Sequence, residues 1–345
     1  MVERKPNLIM SHPNILSHYE SILKLKAGEK VFPRFADLHT SNRCNQHCRG
    51  CAYQDVLDSS IMSKVDHFSI VHQLLKLGVR GFDFAGGGEP LSLPYIEELW
   101  KYINHNECDY GLITNGTLLT DSQINQILTT ATYIRISLEA SDMATYCDYK
   151  RVNPSHWHKV LANLSLLISR RKQLKSKCEI SLKFSVSKRL SGFDHYRNAI
   201  ILGKRFGVDA VQFKSLRHKP EELTAEEKES ERVKLFIASQ DENPGFVRSW
   251  VIPYQKEIPQ CWLNPLHTVV DYNGDVYLCC YYYYRKNHCI GNMIETTIKE
   301  FWMNENHIEK IKAIDKDDCK KVDCKFFRHH ETAEDILNDR RLNFL

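Results

Sequence analysis

The sequence predicts an α/β fold, a partial (β/α)6 barrel followed by a small cysteine-rich domain, on three observations. Short apolar runs alternate with helical patterns from about residue 35 to residue 216, as repeated strand-helix units around a parallel sheet require. Several of those runs keep a period of two, whereas parallel strands covered on both faces usually read as unbroken apolar stretches. Six cysteines lie beyond residue 260: Cys261, Cys279, Cys280, Cys289, Cys319 and Cys324. A chain of 345 residues has room for one barrel-sized domain and a smaller appendage.

Taken in order, residues 1–34 read as a helical extension and residues 35–216 as the barrel. Strands are expected near 35–41, 80–86, 109–114, 133–139, 180–186 and 209–215, with helices over 95–104, 121–129, 156–170 and 196–206. Residues 217–260 read as a linker and helical region, in which the charged stretch 219–231 is expected to be a solvated helix. Residues 261–345 form the cysteine-rich part, with a hairpin turning at Asn273-Gly274 and a closing helix over 331–341.

The period of two decides what faces inward. In Ile134-Arg135-Ile136-Ser137-Leu138-Glu139 the apolar residues must meet the helices, which leaves Arg135, Ser137 and Glu139 for the barrel interior. Lys183 and Ser185 alternate with Leu182, Phe184 and Val186, and Gln212 and Lys214 with Val211 and Phe213; Asp37 and His39 join them from the first strand. A barrel filled for stability alone would carry Val, Ile and Leu there. The pattern therefore suits a polar ligand, with buried structural ion pairs as the competing reading of any one residue.

Hydrophobic content of 42% and charged content of 26% place the chain among globular proteins and exclude whole-chain disorder. The 47 basic and 43 acidic residues leave a net charge of +4 with no long basic block, which gives no case for a nucleic-acid partner. Residues 1–10 show no signal peptide, no stretch is apolar enough for a membrane span, and twelve cysteines without an export signal point to a reducing, cytoplasmic setting.

The chemistry is concentrated in Cys44-Asn45-Gln46-His47-Cys48-Arg49-Gly50-Cys51, just after the first strand. Three thiols are too few to close a tetrahedral site, whereas a 4Fe-4S cube held by three thiolates keeps one iron free for a non-protein ligand. A zinc site or scattered core cysteines is the competing reading. A second motif, Gly86-Gly87-Gly88-Glu89-Pro90, closes the second strand 35 residues after Cys51, where glycine admits close approach to a ligand and proline fixes the turn.

Together these motifs resemble the radical S-adenosylmethionine (SAM) superfamily, which has a TIM-like partial barrel. The resemblance implies that SAM chelates the open iron, that one electron breaks its bond to C5′, and that the 5′-deoxyadenosyl radical takes a hydrogen atom from substrate. It implies that Gly86, Gly87, Gly88, Glu89 and Pro90 lie along the methionine moiety, with Glu89 accepting from its ammonium, and that Tyr53 packs near the adenine. Ser137 and Glu139 match ribose contacts, and Asn115 a cofactor-facing position, although Asn115-Gly116 is equally an ordinary turn. A flavodoxin- or ferredoxin-type protein is the implied electron donor.

From Cys261 the chain runs twelve residues, Gly274, four residues and Cys279, which resembles the first half of the SPASM/twitch extension of these enzymes. The tail has six cysteines where a full SPASM domain has seven, so one auxiliary 4Fe-4S cluster is implied. Its expected ligands are Cys261, Cys279, Cys319 and Cys324, with Cys280 or Cys289 as replacements and a four-cysteine zinc knot as the alternative. Cys108, Cys147 and Cys178 read as plain thiols. The expected enzyme abstracts hydrogen from a polar, sugar- or cyclitol-like small molecule, for dehydrogenation or epimerisation, with Arg135, Lys183 and Lys214 on the substrate. A maturase acting on a ribosomally made peptide is the alternative, and a zinc-stabilised, non-enzymatic binding module the second.

Overall fold

In the computed structural model, residues 17–216, 221–251, 261–283, 285–315, 324 and 326–338 are described. Six strands stand side by side in chain order, each parallel to the next: β1 (Phe35–Leu38), β2 (Gly81–Phe84), β3 (Asp109–Thr114), β4 (Tyr133–Ser137), β5 (Glu179–Val186) and β6 (Ala210–Ser215). Each begins within one residue of its expected position. The α/β barrel expected from the pattern is the observed fold.

Crossover helices cover the outer face. They include α2 (Lys64–Lys76), α3 (Ile96–His105), α4 (Asp121–Thr130), α5 (Met143–Lys150), α6 (Pro154–Leu174) and α7 (Phe193–Phe206). Ile96, Leu99, Trp100 and Ile103 show why α3 forms and where it packs: the spacing i, i+3, i+4, i+7 buries one stripe. A capping box between Thr120 and Gln123 starts α4, while Asn153 caps α6 ahead of Pro154 at its first position. On β4, Ile134 and Ile136 are fully buried against helices and Tyr133, Arg135 and Ser137 are half-buried on the other face, so the predicted alternation holds. The sequence pattern had not marked α2 or α5.

The region 217–260 departs from its reading as a solvated linker. Helix α8 (Ala225–Ala238) buries Lys228 and Glu231, and Glu231 accepts from the Tyr196 hydroxyl at 2.6 Å and the Gly192 N–H at 2.8 Å. The expected solvated helix over 219–231 is therefore so in part: Glu226, Glu227 and Glu229 are exposed, whereas Glu231 joins a polar seam against α7. After it, β7 (Val247–Trp250) adds a seventh parallel strand beside β6. Lys219 lies outside the described residues.

The tail continues the same sheet. Strand β8 (His267–Val270) pairs in parallel with β1, from Phe35 opposite His267 to Leu38 opposite Val270; β9 (Asp275–Tyr277) and β10 (Cys289–Asn292) then run antiparallel, about the expected turn at Asn273-Gly274. The closing helix spans Phe327–Asn338, earlier than expected. It packs with α1 (Tyr19–Lys26) in a second small core of Ile22, Val31, Trp262, Leu263, Leu266, Ala333 and Leu337.

Trp302 ties that region together, for its ring is fully buried and its Nε1 donates to the Val31 carbonyl at 3.0 Å. Trp302→Ala should cost about 3–5 kcal/mol, from lost burial and the cavity left behind. Trp302→Phe should recover most of it in urea unfolding; equal losses for both variants would show that the hydrogen bond, not the packing, is what matters.

Candidate active site

Cys44, Cys48 and Cys51 leave the end of β1 in a loop pinned to the C-terminal end of α5, where the His47 and Arg49 N–H groups donate to the Lys150 and Tyr149 carbonyls at 3.2 and 2.9 Å. Burial raises the pKa of all three thiols, Cys44 to about 12; Cys44 also feels the charge of Cys48 and Cys51, and Cys51 that of Cys48. Three inward thiols that are costly as bare thiolates fit a site completed by cationic iron. Lys150, which no motif or periodicity singles out, is buried beside them. Its Nζ donates to the Ser137 carbonyl at 2.7 Å; burial opposes its charge, but neighbouring Cys48 and Glu139 outweigh that and hold its pKa above the usual value.

The turn of Gly86, Gly87 and Gly88 lies against the strand leading to Cys44. Gly86 has φ +78°, and a Cβ there would sit 2.2 Å from His39 Nε2; at Gly88 it would sit 2.0 Å from the Arg43 carbonyl oxygen. Glu89 follows, with its N–H donating to the Arg43 carbonyl at 2.7 Å, and Pro90 opens a short 3-10 turn. The buried Glu89 carboxylate accepts from the Leu91 N–H (3.1 Å) and Thr114 hydroxyl (2.5 Å) on Oε1, and from the Asn115 N–H (2.8 Å) on Oε2. Burial pushes its pKa up, and these bonds pull it part of the way back. A carboxylate has about four lone-pair sites, so one on Oε2 remains for a ligand donor. Asn115 itself is tied to the cysteine loop, its Nδ2 donating to Asn45 Oδ1 at 2.8 Å while its own oxygen takes the Thr117 N–H and hydroxyl.

Ser137 and Glu139 sit at the C-terminal end of β4. Glu139 has φ +75°, a strained conformation for a non-glycine residue, and its carboxylate accepts from Lys183 Nζ at 2.6 Å and the Ser185 N–H at 2.7 Å. Burial works against its charge, yet Lys183 and Lys150 outweigh it and lower its pKa. Lys183 thus has Glu139 as its partner, and Ser185 Oγ at 2.9 Å as a second; this is the structural ion pair weighed above against a substrate-facing role. Arg135 differs. Its guanidinium lies 5.2 Å from the Tyr133 ring centre, and its buried Nε has no hydrogen-bond partner among the described residues. Lys214 is half-buried on β6, in register with Ser185 and Trp250.

Nearer the N-terminal ends of the strands, polar residues stand in pairs. Arg248 and Glu179 form a bidentate pair at 2.7 and 2.9 Å, Gln212 donates to Ser181 at 3.2 Å, the Tyr133 hydroxyl bonds Asp83, and His267 Nε2 lies 3.1 Å from Asp37 Oδ2.

Tyr53 packs against the tail. Its ring lies 4.9 Å from that of Tyr283 and 5.5 Å from that of His39, with His39 and Tyr283 4.4 Å apart, all edge-on. Tyr283 thus walls the cysteine loop on the side of Tyr53.

In the tail, Cys279 is buried within a hydrogen bond of Cys280 and close to Cys324; that bond, burial and both neighbouring charges raise its pKa well above the usual value. Cys261 Sγ lies 3.9 Å from Nε2 of His330. Cys289 Sγ instead donates to the Gly291 carbonyl at 3.5 Å, and Cys319 lies outside the described residues. Cys108 and Cys178 are buried and Cys147 half-buried. Among the described residues no three His, Cys, Asp or Glu side chains gather around a single-ion position, and no helix is long and apolar enough to cross a membrane.

Asp271 supports this wall, accepting from the Tyr283 hydroxyl at 2.7 Å and the Tyr272 N–H at 2.6 Å on Oδ1. Burial pushes its carboxyl up to about 7, the hydrogen bonds offsetting part of the rise. The unfolded chain releases this proton near 3.8, so the fold loses stability as pH rises between about 4 and about 7 and loses no more above that. Asp271→Asn keeps both acceptor contacts and should be more stable than the parent above pH 7 by roughly 2–4 kcal/mol, the difference vanishing toward pH 4. Urea unfolding across that range reads it, and a pH-independent difference would mean that Asp271 is ionised in the fold.

Residues 38–175 match the radical SAM superfamily model, and residues 261–325 match SPASM, an iron-sulfur cluster-binding domain. The chain is 30% identical over 128 residues to the S-adenosylmethionine-dependent nucleotide dehydratase of Flammeovirga pacifica, covering 35% of this chain and 43% of that protein. It is 22% identical over 154 residues to the protein of the same name from Thermoplasmatales archaeon (strain ISO4-H5), covering 41% and 55%. The chain thus spans about half the length, or less, of these curated relatives. Its fold is similar to Streptococcus suis SuiB bound to S-adenosylmethionine (TM-score 0.68, 14% identity, 86% of this chain and 72% of that one). It is similar also to native anSMEcpe with bound AdoMet (TM-score 0.65, 21% identity, 86% and 88%). The chain thus carries a radical SAM domain over residues 38–175, with a 4Fe-4S cluster and S-adenosylmethionine as its cofactors, and a SPASM iron-sulfur cluster-binding domain over residues 261–325.

Proposed function

We propose that Cys44, Cys48 and Cys51 hold the SAM-binding cluster and that the enzyme abstracts hydrogen from a polar, polyhydroxylated small molecule of the sugar or nucleotide class. The observation that carries the substrate reading is Arg135, whose buried Nε has no partner among the described residues, whereas Arg248 with Glu179 and Gln212 with Ser181 are paired. A buried donor left open costs free energy unless a ligand takes it, and guanidinium suits hydroxyl, carboxylate or phosphate oxygens. The curated relatives named nucleotide dehydratase favour the same chemical class.

When bound, the reduced cluster and SAM together supply the one-electron cleavage and the hydrogen-abstracting radical. The chain's own residues position and shield. Lys150 and Lys183 offset the buried negative charge of Cys48 and Glu139. Glu89 offers its remaining lone pair to the methionyl ammonium, with the turn of Gly86, Gly87, Gly88 and Pro90 alongside, and Glu139 with Ser137 faces the ribose. Asn115 holds the cysteine loop through Asn45, and Tyr53, fixed by His39 and Tyr283, closes the adenine side. Paired residues occupy the N-terminal end of the interior, so substrate enters from the C-terminal ends of the strands, meeting Lys214 first and Arg135, in register with Ser181, at the floor.

Anaerobic reconstitution followed by 5′-deoxyadenosine analysis tests both parts. Replacing all three cysteines with alanine should abolish SAM cleavage and lower the iron content from about eight to about four, counting four per cube. Arg135→Ala should lower turnover of a deuterated sugar or nucleotide roughly 10–100-fold, the worth of one charge-assisted bond, while uncoupled SAM cleavage persists. Undiminished cleavage in the triple variant would end the radical reading. Deuterium transfer from a leader-bearing peptide alone would replace the small-molecule substrate with a peptide, and loss of water, loss of two hydrogens or no change in product mass separates dehydration, dehydrogenation and epimerisation.

A further inference from the structure

Three histidines are buried among the described residues of the tail, and their surroundings differ: His267, on β8, has Nε2 3.1 Å from Asp37 Oδ2. His307 accepts from the Met303 N–H through Nδ1 at 2.8 Å and has Nε2 3.2 Å from Asn264 Oδ1, so both ring nitrogens are satisfied, as buried imidazoles ordinarily are. His330, in the closing helix Phe327–Asn338, is 4% exposed. Its Nδ1 has no hydrogen-bond partner among the described residues, and its Nε2 is directed at Cys261 Sγ, 3.9 Å away. The tail thus presents a buried nitrogen donor to one of the cysteines expected to bind iron, and two others so expected, Cys279 and Cys324, are close to each other.

We propose that His330 is a ligand of the auxiliary cluster, supplying the fourth donor through Nε2 beside Cys261, Cys279 and Cys324 in the place first assigned to Cys319. Imidazole does serve as an iron-sulfur ligand, and a neutral nitrogen in place of a thiolate makes the cluster easier to reduce. Residue 330 lies beyond the SPASM match, which ends at residue 325. A single auxiliary cube with three thiolates and one imidazole also accounts for a tail with too few cysteines for two clusters. The proposal rests on the reading that these tail cysteines hold a cluster.

The test uses the full chain carrying Cys44→Ala, Cys48→Ala and Cys51→Ala, so that only the auxiliary cluster remains. After reconstitution the reduced protein should hold about four irons, by the four-per-cube rule, and pulsed electron paramagnetic resonance should show the strong nitrogen coupling of a directly bound imidazole. Adding His330→Cys should keep the iron, abolish that coupling and move the reduction potential to more negative values. Adding Cys319→Ala instead should change neither iron nor coupling. Because His330→Ala risks misfolding, the cysteine variant is the deciding one. Four irons without strong nitrogen coupling, or coupling that survives His330→Cys, overturns the histidine alone; a parent with no iron overturns both this proposal and the cluster reading beneath it.

Discussion

Concentrated buried negative charge is the constraint on which this site depends. Glu89, Glu139 and three thiols converge where β1, β2 and β4 end, a region largely withdrawn from water. A buried carboxylate without partners is prohibitively expensive, and the chain answers differently for each. Glu89 is satisfied by neutral donors from β3 and its own turn, and its pKa rises; Glu139 is satisfied by two lysines, and its pKa falls. Lys150 must therefore be brought inside, and that in turn explains why α5 ends against the cysteine loop.

Much of this was legible in the sequence wherever the cause is local. Strand positions followed from period-two alternation, because the same pleat that alternates side chains alternates burial. Cys44, Cys48 and Cys51, and the run from Gly86 to Pro90, stood out as motifs because each is contiguous in the chain and its spacing is fixed locally. Lys150 was not, since in Asp148-Tyr149-Lys150-Arg151 it reads like any solvated helix end, and its burial comes from partners on β4 and the distant cysteine loop. The same holds for Glu231, which looked like surface charge until Tyr196 and Gly192 approached it. Periodicity can say which face a residue occupies, but not which charge from elsewhere will meet it.

The tail was expected as an appendage, yet its first strand is a structural neighbour of β1. That placement carries Asp271 and Tyr283 to the rim of the barrel, where Tyr283 meets Tyr53 and His39. Aromatic edge contacts of this kind are individually worth about 0.5–1.5 kcal/mol, enough to fix a ring's orientation without locking the whole wall. The barrel's cofactor side and the tail's cysteine region thus share one aromatic boundary.

The parallel pairing of β8 with β1 also sets an order of events during synthesis. Phe35 and His267 are 232 positions apart, so β1 is made early and waits with one unpaired edge while the rest of the barrel emerges from the ribosome. Long-range parallel pairings form slowly, and an open strand edge recruits other chains. The nascent barrel is therefore most exposed to misassembly during the interval before residues 267–270 arrive, so slowed translation of the last third of the message should lower the yield of native protein more than slowed translation of the first.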